Sequence, residues 1–141
     1  MTQTLRPFHI AVPVTDLAAA MDFYSGILGC ATGRTAARWI DFNFFGHQLT
    51  VHLVDSINSA IGCNDVDNEK VPARHFGMVL TMSDWESLSQ KLRELKTDFI
   101  IEPTIRFKGK TGEQATLFIR DPSGNVLEFK AFADDAMIFA H

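Results

Sequence analysis

An internal repeat constrains the fold of this chain more than any other feature of its sequence. Two segments, about 7–54 and about 72–132, each carry a β-prone run, a helical apolar pattern and three further β-prone runs. Such a unit buries its apolar faces by packing with its neighbours, so the repeat has to be recognised before single elements are assigned. We predict an α+β fold in one domain over 1–141, with two βαβββ modules forming an incomplete β-barrel and the helices outside.

In the first module, the run PFHIAVPV alternates around β-branched and aromatic residues and predicts a strand. It ends at Thr15 and Asp16, a typical helix N-cap signal. Apolar residues at helical spacing predict a helix over 17–28, and Gly29 predicts its end. The runs CATGRT, ARWIDFNFF and HQLTVHLV then predict three consecutive strands.

The second module follows a polar segment, 55–70, which predicts a linker or a loop that covers a pocket. A strand is predicted over 71–82, with a helix cap at Ser83 and Asp84. The helical apolar face consists of four residues: Trp85, Leu88, Leu92 and Leu95. The runs DFIIEPTIRF, EQATLFIR and NVLEFKAF predict the last three strands.

Composition excludes several classes of protein. The 141 residues carry a net charge of −4 with scattered basic residues, which argues against a nucleic-acid partner. The sequence has neither an apolar run of membrane-spanning length nor the apolar core of a signal peptide, so it predicts no membrane partner and a cytoplasmic location. Cys30 and Cys63 lie far apart without metal-ligand spacing, and we expect two free thiols in or near the core.

Three polar residues in apolar strand segments are the candidate metal ligands. His9 lies between Phe8 and Ile10, His75 precedes Phe76, and Glu128 interrupts the last strand. A buried carboxylate is costly unless it is paired or bound to a metal. A lone strand histidine is usually an ordinary hydrogen-bonded residue, but equivalent places in a repeat favour a set of two histidines and one carboxylate, the set that suits Fe(II).

The stretches HIAVPVTDLAAAMDFYSGILGC, RHFGMVL and RDPSGNVLEF resemble the vicinal-oxygen-chelate superfamily, which includes glyoxalase I, fosfomycin- and bleomycin-resistance proteins and type I extradiol dioxygenases. RWIDFNFFGHQLTVHL and RFKGKTGEQATLFIRDPSGN resemble a group of single-domain predicted extradiol dioxygenases. The resemblance implies His9, His75 and Glu128 as ligands of Fe(II), with Mn, Ni or Zn as alternatives. It also implies a homodimer and a small aromatic or oxygen-chelating substrate.

The resemblance places a further pocket residue on the last strand of the first half. That strand offers Gln48, Thr50 and His52 on one face and His47 on the other. We take His52 as the candidate acid/base or fourth ligand and Gln48 as a substrate-binding alternative, while an ordinary hydrogen-bonded histidine remains equally compatible. The extradiol pattern also has a tyrosine ten residues before the glutamate, where this chain has Phe118, and an earlier histidine, which KGKTGEQA lacks.

A basic loop containing Arg106, Lys108 and Lys110 could bind an anionic substrate or remain solvated. We take Lys108 and Phe118 as candidate substrate-binding residues. The aromatic residues Trp39, Phe42, Phe44 and Phe45 could line a cavity or belong to the core. The leading hypothesis is an extradiol-type dioxygenase; the alternatives are a glyoxalase-type isomerase or transferase on the same metal site, and a metal-free binding protein.

Overall fold

The computed structural model describes residues 4–57, 63–66 and 69–140. The chain forms two compact units, Met1–Asn58 and Ser59–His141. Each unit contains one βαβββ module, so the predicted repeat and the α+β class are confirmed. Each module builds an open four-stranded sheet that does not close on itself.

Within residues 4–57, unit 1 has one helix and four strands: β1 (His9–Val14), α1 (Leu17–Met21, continuing as a π-helix over Asp22–Ile27), β2 (Ala31–Ala36), β3 (Trp39–Phe44) and β4 (His47–Leu53). The strands lie in the order β1-β4-β3-β2. β1 runs parallel to β4, and the other pairs are antiparallel. The parallel pair is possible because α1 carries the chain across from β1.

Helix α1 begins and ends as the sequence predicts. The side chain of Asp16 accepts a hydrogen bond from the amide of Ala19 at 3.0 Å, which caps the first turn. At the other end Gly29 has φ +75°, and this left-handed residue lets the amide of Cys30 reach the carbonyl of Tyr24 at 2.9 Å. The cap and the glycine therefore fix both ends of the helix.

The second half of α1 differs from the expected α-helix. The amide of Leu28 donates to the carbonyl of Phe23, five residues earlier, which is the π-helical pattern. Phe23 and Tyr24 are both buried, and Tyr24 packs against Phe42 with 5.3 Å between ring centroids. The wider turn allows two consecutive aromatic residues to enter the core of the unit. Apolar periodicity alone does not distinguish this from an α-turn.

The same core answers the question about the aromatic residues of β3. Phe42 and Phe44 are buried, so they belong to the core, whereas Trp39 and Phe45, the residue just after β3, remain partly exposed. Cys30 is a buried free thiol, as expected, and burial raises its pKa to about 11. The side chain of Cys63 lies outside the described residues.

The described residues of unit 2 form one long helix and six strands: β5 (Cys63–Val66), β6 (Glu69–Pro72), β7 (Phe76–Leu80), α2 (Met82–Glu94), β8 (Phe99–Arg106), β9 (Gln114–Arg120) and β10 (Val126–Phe132). A short 3₁₀ turn, Asp135–Met137, follows. The main sheet has the order β7-β10-β9-β8, with β7 parallel to β10. Leu127 and Phe129 are buried on the face toward α2, whose Trp85 indole donates to the carbonyl of Phe129.

Two expectations for this unit were wrong in part. The segment 55–70 was expected to be a loop, but β5 and β6 form an antiparallel hairpin across its end; residues 58–62 and 67–68 lie outside the described residues. The strand expected over 71–82 is divided, because β6 ends at Pro72, which has no N–H to donate, and β7 begins at Phe76. His75 therefore lies immediately before its strand.

The cap of α2 was also placed two residues late. Helix α2 begins at Met82, and the side chain of Thr81 accepts a hydrogen bond from the amide of Asp84 at 3.2 Å. Asp84 lies in the first turn, where a carboxylate interacts favourably with the positive end of the helix. In the described ranges no helix is long and apolar enough to cross a membrane.

Candidate metal centre

His75 and Glu128 lie face to face at one end of the sheet of unit 2. In the parallel pair of β7 and β10, Glu128 is opposite Gly77, and His75 precedes Gly77 by two residues, so the two side chains project from the same face. Nε2 of His75 is 3.2 Å from Oε2 of Glu128. The side chains are 26% and 17% exposed, which leaves the pair accessible to a small ligand.

The backbone fixes the tautomer of His75. Its Nδ1 lies 3.0 Å from the carbonyl oxygen of Pro72, and because a carbonyl only accepts, Nδ1 must donate. The ring also packs edge-on against Phe118, with 5.2 Å between centroids. In a neutral imidazole held this way, Nε2 carries a lone pair directed at a carboxylate oxygen. Two such acceptors require a cation between them, either a proton or a metal ion.

Glu128 is held by a buried hydroxyl on the neighbouring strand. Oγ1 of Thr116 on β9 donates to Oε1 of Glu128 at 2.8 Å, and Thr116 is completely buried. This hydrogen bond occupies one carboxylate oxygen and leaves Oε2 facing His75. A side chain that is oriented in this way loses little freedom when it binds an ion.

Gly77 allows the two strands to approach closely at this point. A Cβ atom at Gly77 would collide with the carbonyl oxygen of Glu128. Any residue with a side chain would therefore push β7 away from β10 and change the separation of His75 from Glu128. The glycine is part of the geometry of the pair.

The separation of the pair matches that of two neighbouring metal ligands. Two ligands about 2.1 Å from an ion and at right angles to each other lie about 3.0 Å apart, close to the observed 3.2 Å. Within the described part of the chain, no group of three or more His, Cys, Asp or Glu side chains is arranged to hold a metal ion. The pair is thus brought together by unit 2 alone.

The third predicted ligand, His9, belongs to unit 1. It is the first residue of β1, it is exposed, and it lies opposite Gln48 of β4, which in turn lies opposite Asn43 of β3. The structure thus places His9 beside Gln48, one of the candidate substrate-binding residues.

The strand registers of the two units identify a residue that sequence reasoning had given less weight. In unit 2, Glu128 pairs with the residue two positions after His75; in unit 1, Thr50 pairs with Ala11, two positions after His9. Thr50 therefore occupies the place that corresponds to Glu128. Its hydroxyl donates to Oδ1 of Asp41 at 2.7 Å. His52 lies two residues after Thr50 on the same face of β4, where it is exposed and opposite Trp39.

The three remaining candidate residues, His47, Lys108 and Phe118, differ in exposure and in their hydrogen bonds. His47 has an ordinary structural role, since its Nδ1 accepts a hydrogen bond from the amide of Phe8 at 2.8 Å. Lys108 is exposed in the loop before β9, which Glu113 organises by accepting a hydrogen bond from the amide of Gly109 at 2.7 Å. Phe118 is only 2% exposed.

Thr116 and the Pro72 carbonyl were missed in the sequence. Strand parity could have found Thr116, because in a tight β9–β10 hairpin it shares the face of Glu128. The contact of a histidine with its own preceding turn leaves no such signal.

Two βαβββ modules in one α+β chain define a class of paired-module proteins. In this chain the second module has a histidine just before its first long strand and a glutamate on its last strand. This chain belongs to the Glyoxalase/Bleomycin resistance protein/Dioxygenase superfamily, whose family model matches residues 6–129. Members of that superfamily include many enzymes, bind small molecules, are typically metal-dependent and often form dimers. The comparison with curated proteins gives no match.

Solved structures with the same fold support this assignment. A glyoxalase/bleomycin resistance protein/dioxygenase from Alicyclobacillus acidocaldarius is 34% identical, with 99% of this chain and 100% of that chain covered and a TM-score of 0.81. The fosfomycin resistance protein FosX from Listeria monocytogenes is 15% identical, covers 97% and 98%, and has a TM-score of 0.67. Lactoylglutathione lyase from Agrobacterium tumefaciens is also 15% identical, covers 99% and 98%, and scores 0.64. The last two comparisons concern the fold alone.

Proposed function

We propose that this chain is a metal-dependent enzyme, most closely an extradiol-type dioxygenase that cleaves a catechol-like aromatic substrate. The observation that carries the proposal is the pair of His75 Nε2 and Glu128 Oε2, 3.2 Å apart, with the tautomer of His75 set by Pro72. Two acceptors held at this distance fit a divalent cation. His9 is the proposed third ligand, which completes a set of two histidines and one carboxylate.

That donor set suits Fe(II) best, with Mn, Ni or Zn as alternatives. A bound Fe(II) would supply a Lewis acid for two vicinal substrate oxygens and the redox chemistry that a dioxygenase needs. The chain itself supplies the orientation: Thr116 holds Oε1 of Glu128, and Phe118 supports the ring of His75. Both contacts reduce the reorganisation that ligand binding would require.

The substrate-facing roles are assigned on exposure and position. His52 is exposed on the same face of unit 1 as His9, so its imidazole is the proposed acceptor of a substrate hydroxyl proton. Gln48, opposite His9, and the exposed Lys108 are the proposed polar contacts to the substrate. Phe118 is 2% exposed, so its proposed contribution to the substrate site is indirect: its ring packs against that of His75.

Phe118 also favours a second candidate function. It occupies the place of the tyrosine in the extradiol pattern, it has no hydroxyl, and it is buried against His75. A glyoxalase-type isomerase or a transferase on the same ligand set does not need that tyrosine. Oxygen consumption separates the two candidates.

Metal titration of the full chain tests the proposal. Chelator-treated protein is titrated anaerobically with Fe(II), Mn(II), Ni(II) and Zn(II), alongside the variants His9→Ala, His75→Ala and Glu128→Gln. We expect one ion per chain and a loss of metal affinity of at least about 100-fold in each variant. Removing a group that only hydrogen-bonds a ligand already costs about 10- to 100-fold in affinity, and removing the ligand itself should cost more. Glu86→Gln, on the exposed side of α2, is the matched control and should bind as the wild type does.

The reaction is tested on the loaded protein. Catechol-dependent oxygen uptake by the Fe(II) form supports the dioxygenase, whereas metal binding without oxygen uptake moves the assignment to the isomerase or transferase. A chain that binds no metal but retains small-molecule binding in His75→Ala is a metal-free binding protein, and the proposal fails. A homodimer and a cytoplasmic location remain proposals that rest on the family resemblance and on the sequence.

A further inference from the structure

We infer that Asp41, which lines a cleft in unit 1, binds an ammonium group of the substrate. This inference rests on the proposed function, because it extends the catechol-like substrate by a cationic arm. The cleft has a volume of about 370 Å³ and is lined by residues of unit 1, among them Gly33, Arg34, Asp41 and Gln48.

The side chain of Asp41 is buried, and no cationic side chain in the described ranges forms an ion pair with it. Asp41 is 8% exposed, and among the described residues its only hydrogen bond comes from the hydroxyl of Thr50 to Oδ1, at 2.7 Å. The ion pairs found in the described ranges, Arg38 with Asp55 and His75 with Glu128, do not include it. An ionised carboxylate accepts about four hydrogen bonds. One hydroxyl therefore satisfies only part of the hydrogen-bonding capacity of this carboxylate.

The second oxygen of Asp41 is accessible from the cleft. Among the described residues, no buried side-chain nitrogen or oxygen lacks a hydrogen-bond partner. Oδ2 accepts no hydrogen bond there, so it must retain contact with solvent, and the cleft that Asp41 lines provides it. Gly33 keeps this approach open, since a Cβ at Gly33 would lie 3.3 Å from Cβ of Asp41.

Charge decides which ligand group suits this position. A primary ammonium is compact and offers three hydrogen-bond donors and a full positive charge. It can therefore donate to Oδ2 of Asp41, which accepts no hydrogen bond from the described residues. Arg34 is the nearby alternative, but it is exposed, and its guanidinium lies 5.7 Å from the centroid of the Trp39 ring rather than on Asp41. The cleft thus has a place for a cation from outside the chain.

The cleft adjoins a proposed metal ligand. Gln48 lines the cleft and lies opposite His9 in the pairing of β1 with β4. A substrate whose oxygens are held at the metal can therefore extend an amine-bearing arm along this face to Asp41. The substrate class that follows is a catechol-like ring with an alkylammonium side chain.

The test compares two probes of equal size on the full chain. Dopamine and 4-propylcatechol differ in that an ammonium of the first is a methyl group in the second. Isothermal titration calorimetry is carried out with chelator-treated and metal-loaded protein, for the wild type, Asp41→Asn and Asp98→Asn. Asp98 is exposed in unit 2 and serves as the control.

We expect the wild type and Asp98→Asn to prefer dopamine by about tenfold or more, the usual value of a hydrogen bond to a charged group. Asp41→Asn keeps the shape but not the charge, so the preference should disappear. Equal affinity of the wild type for the two probes, no binding of either, or a preference that survives in Asp41→Asn overturns the inference. Metal titration is read separately: a chain that binds metal without this preference loses only the ammonium site, and a chain that binds no metal loses the proposed function.

Discussion

At the level of single residues, the hydroxyl of Thr116 orients Glu128 in the candidate metal centre. It is buried, it donates to Oε1 of Glu128 at 2.8 Å, and it leaves Oε2 for His75. Strand parity in the sequence predicted that Glu128 and Lys130 share a face, but the partner of each carboxylate oxygen depends on side-chain positions across two strands. Such a contact is fixed only when β9 and β10 pair.

Thr116→Val removes this donor and retains the β-branched shape. We expect metal affinity to fall by about 10- to 100-fold, the usual effect of losing an outer partner of a ligand. Thr116→Ser should restore most of the affinity because it restores the hydroxyl. Thr35→Val, at an exposed position on β2 of unit 1, is the matched control. Unchanged metal binding in Thr116→Val would show that the hydrogen bond does not orient Glu128.

The buried thiol of Cys30 gives a prediction for pH dependence. Burial raises its pKa from 9.0 to about 11, so the folded chain retains the proton after the unfolded chain has lost it. Between pH 9 and pH 11 the unfolded state binds fewer protons, and the free energy of unfolding should fall by up to about 3 kcal/mol from this group. Below pH 9 the group should have no effect.

Urea unfolding at pH 8, 9, 10 and 11 measures this contribution, with Cys30→Ala as the comparison. Other groups titrate in the same range in both proteins, so the quantity of interest is the difference in stability between them. That difference should change by about 3 kcal/mol across the interval. A constant difference would contradict the burial of the thiol.

At the scale of elements, the pairing of β7 with β10 illustrates where sequence patterns stop being informative. The sequence predicted β10 as one strand, which is confirmed, and β7 as part of a longer strand over 71–82, which the structure divides. The pattern did not show that Pro72 ends β6, or that His75 lies before β7 with its ring bonded back to Pro72. In α1 the cap and the terminal glycine were predicted, but the π-helical turn was not, because it results from packing Phe23 and Tyr24 into one core.

Gly77→Ala tests the close approach of these strands. The added Cβ meets the carbonyl oxygen of Glu128, which is backbone and cannot move aside cheaply. We expect a loss of about 3 kcal/mol or more in the free energy of unfolding, measured by chemical denaturation. Gly26→Ala is the matched control, since nothing lies within 4 Å of its added Cβ; its stability should change by about 1 kcal/mol at most.

For the molecule as a whole, exposed apolar side chains just before β1 are the expected contact of the proposed homodimer. Phe8 is 66% exposed and Leu5 83% exposed, and both lie just before β1. Large exposed apolar residues that lie close together often mark interaction surfaces. Family members often form dimers, and this region of unit 1 is where we expect the contact.

Sedimentation velocity at micromolar concentration should therefore show a dimer. Phe8→Glu should weaken the association by about tenfold or more, because it places a charge in an apolar contact. Leu95→Glu, at the exposed end of α2, is the control and should sediment as the wild type does. A wild-type chain that sediments as a monomer at these concentrations would rule out the proposed dimer.

Local sequence patterns are sufficient to predict the repeat, the α+β class, the order of the elements within the two modules, both ends of α1 and the face of β10 on which Glu128 lies. These follow from local rules: apolar periodicity, cap residues and the alternation of side chains along a strand. The tertiary structure is needed to set the strand register, which joins His75 to Glu128 and puts Thr50 in the corresponding place of unit 1. It alone also decided the tautomer of His75 and the isolation of Asp41, because those depend on atoms from distant parts of the chain.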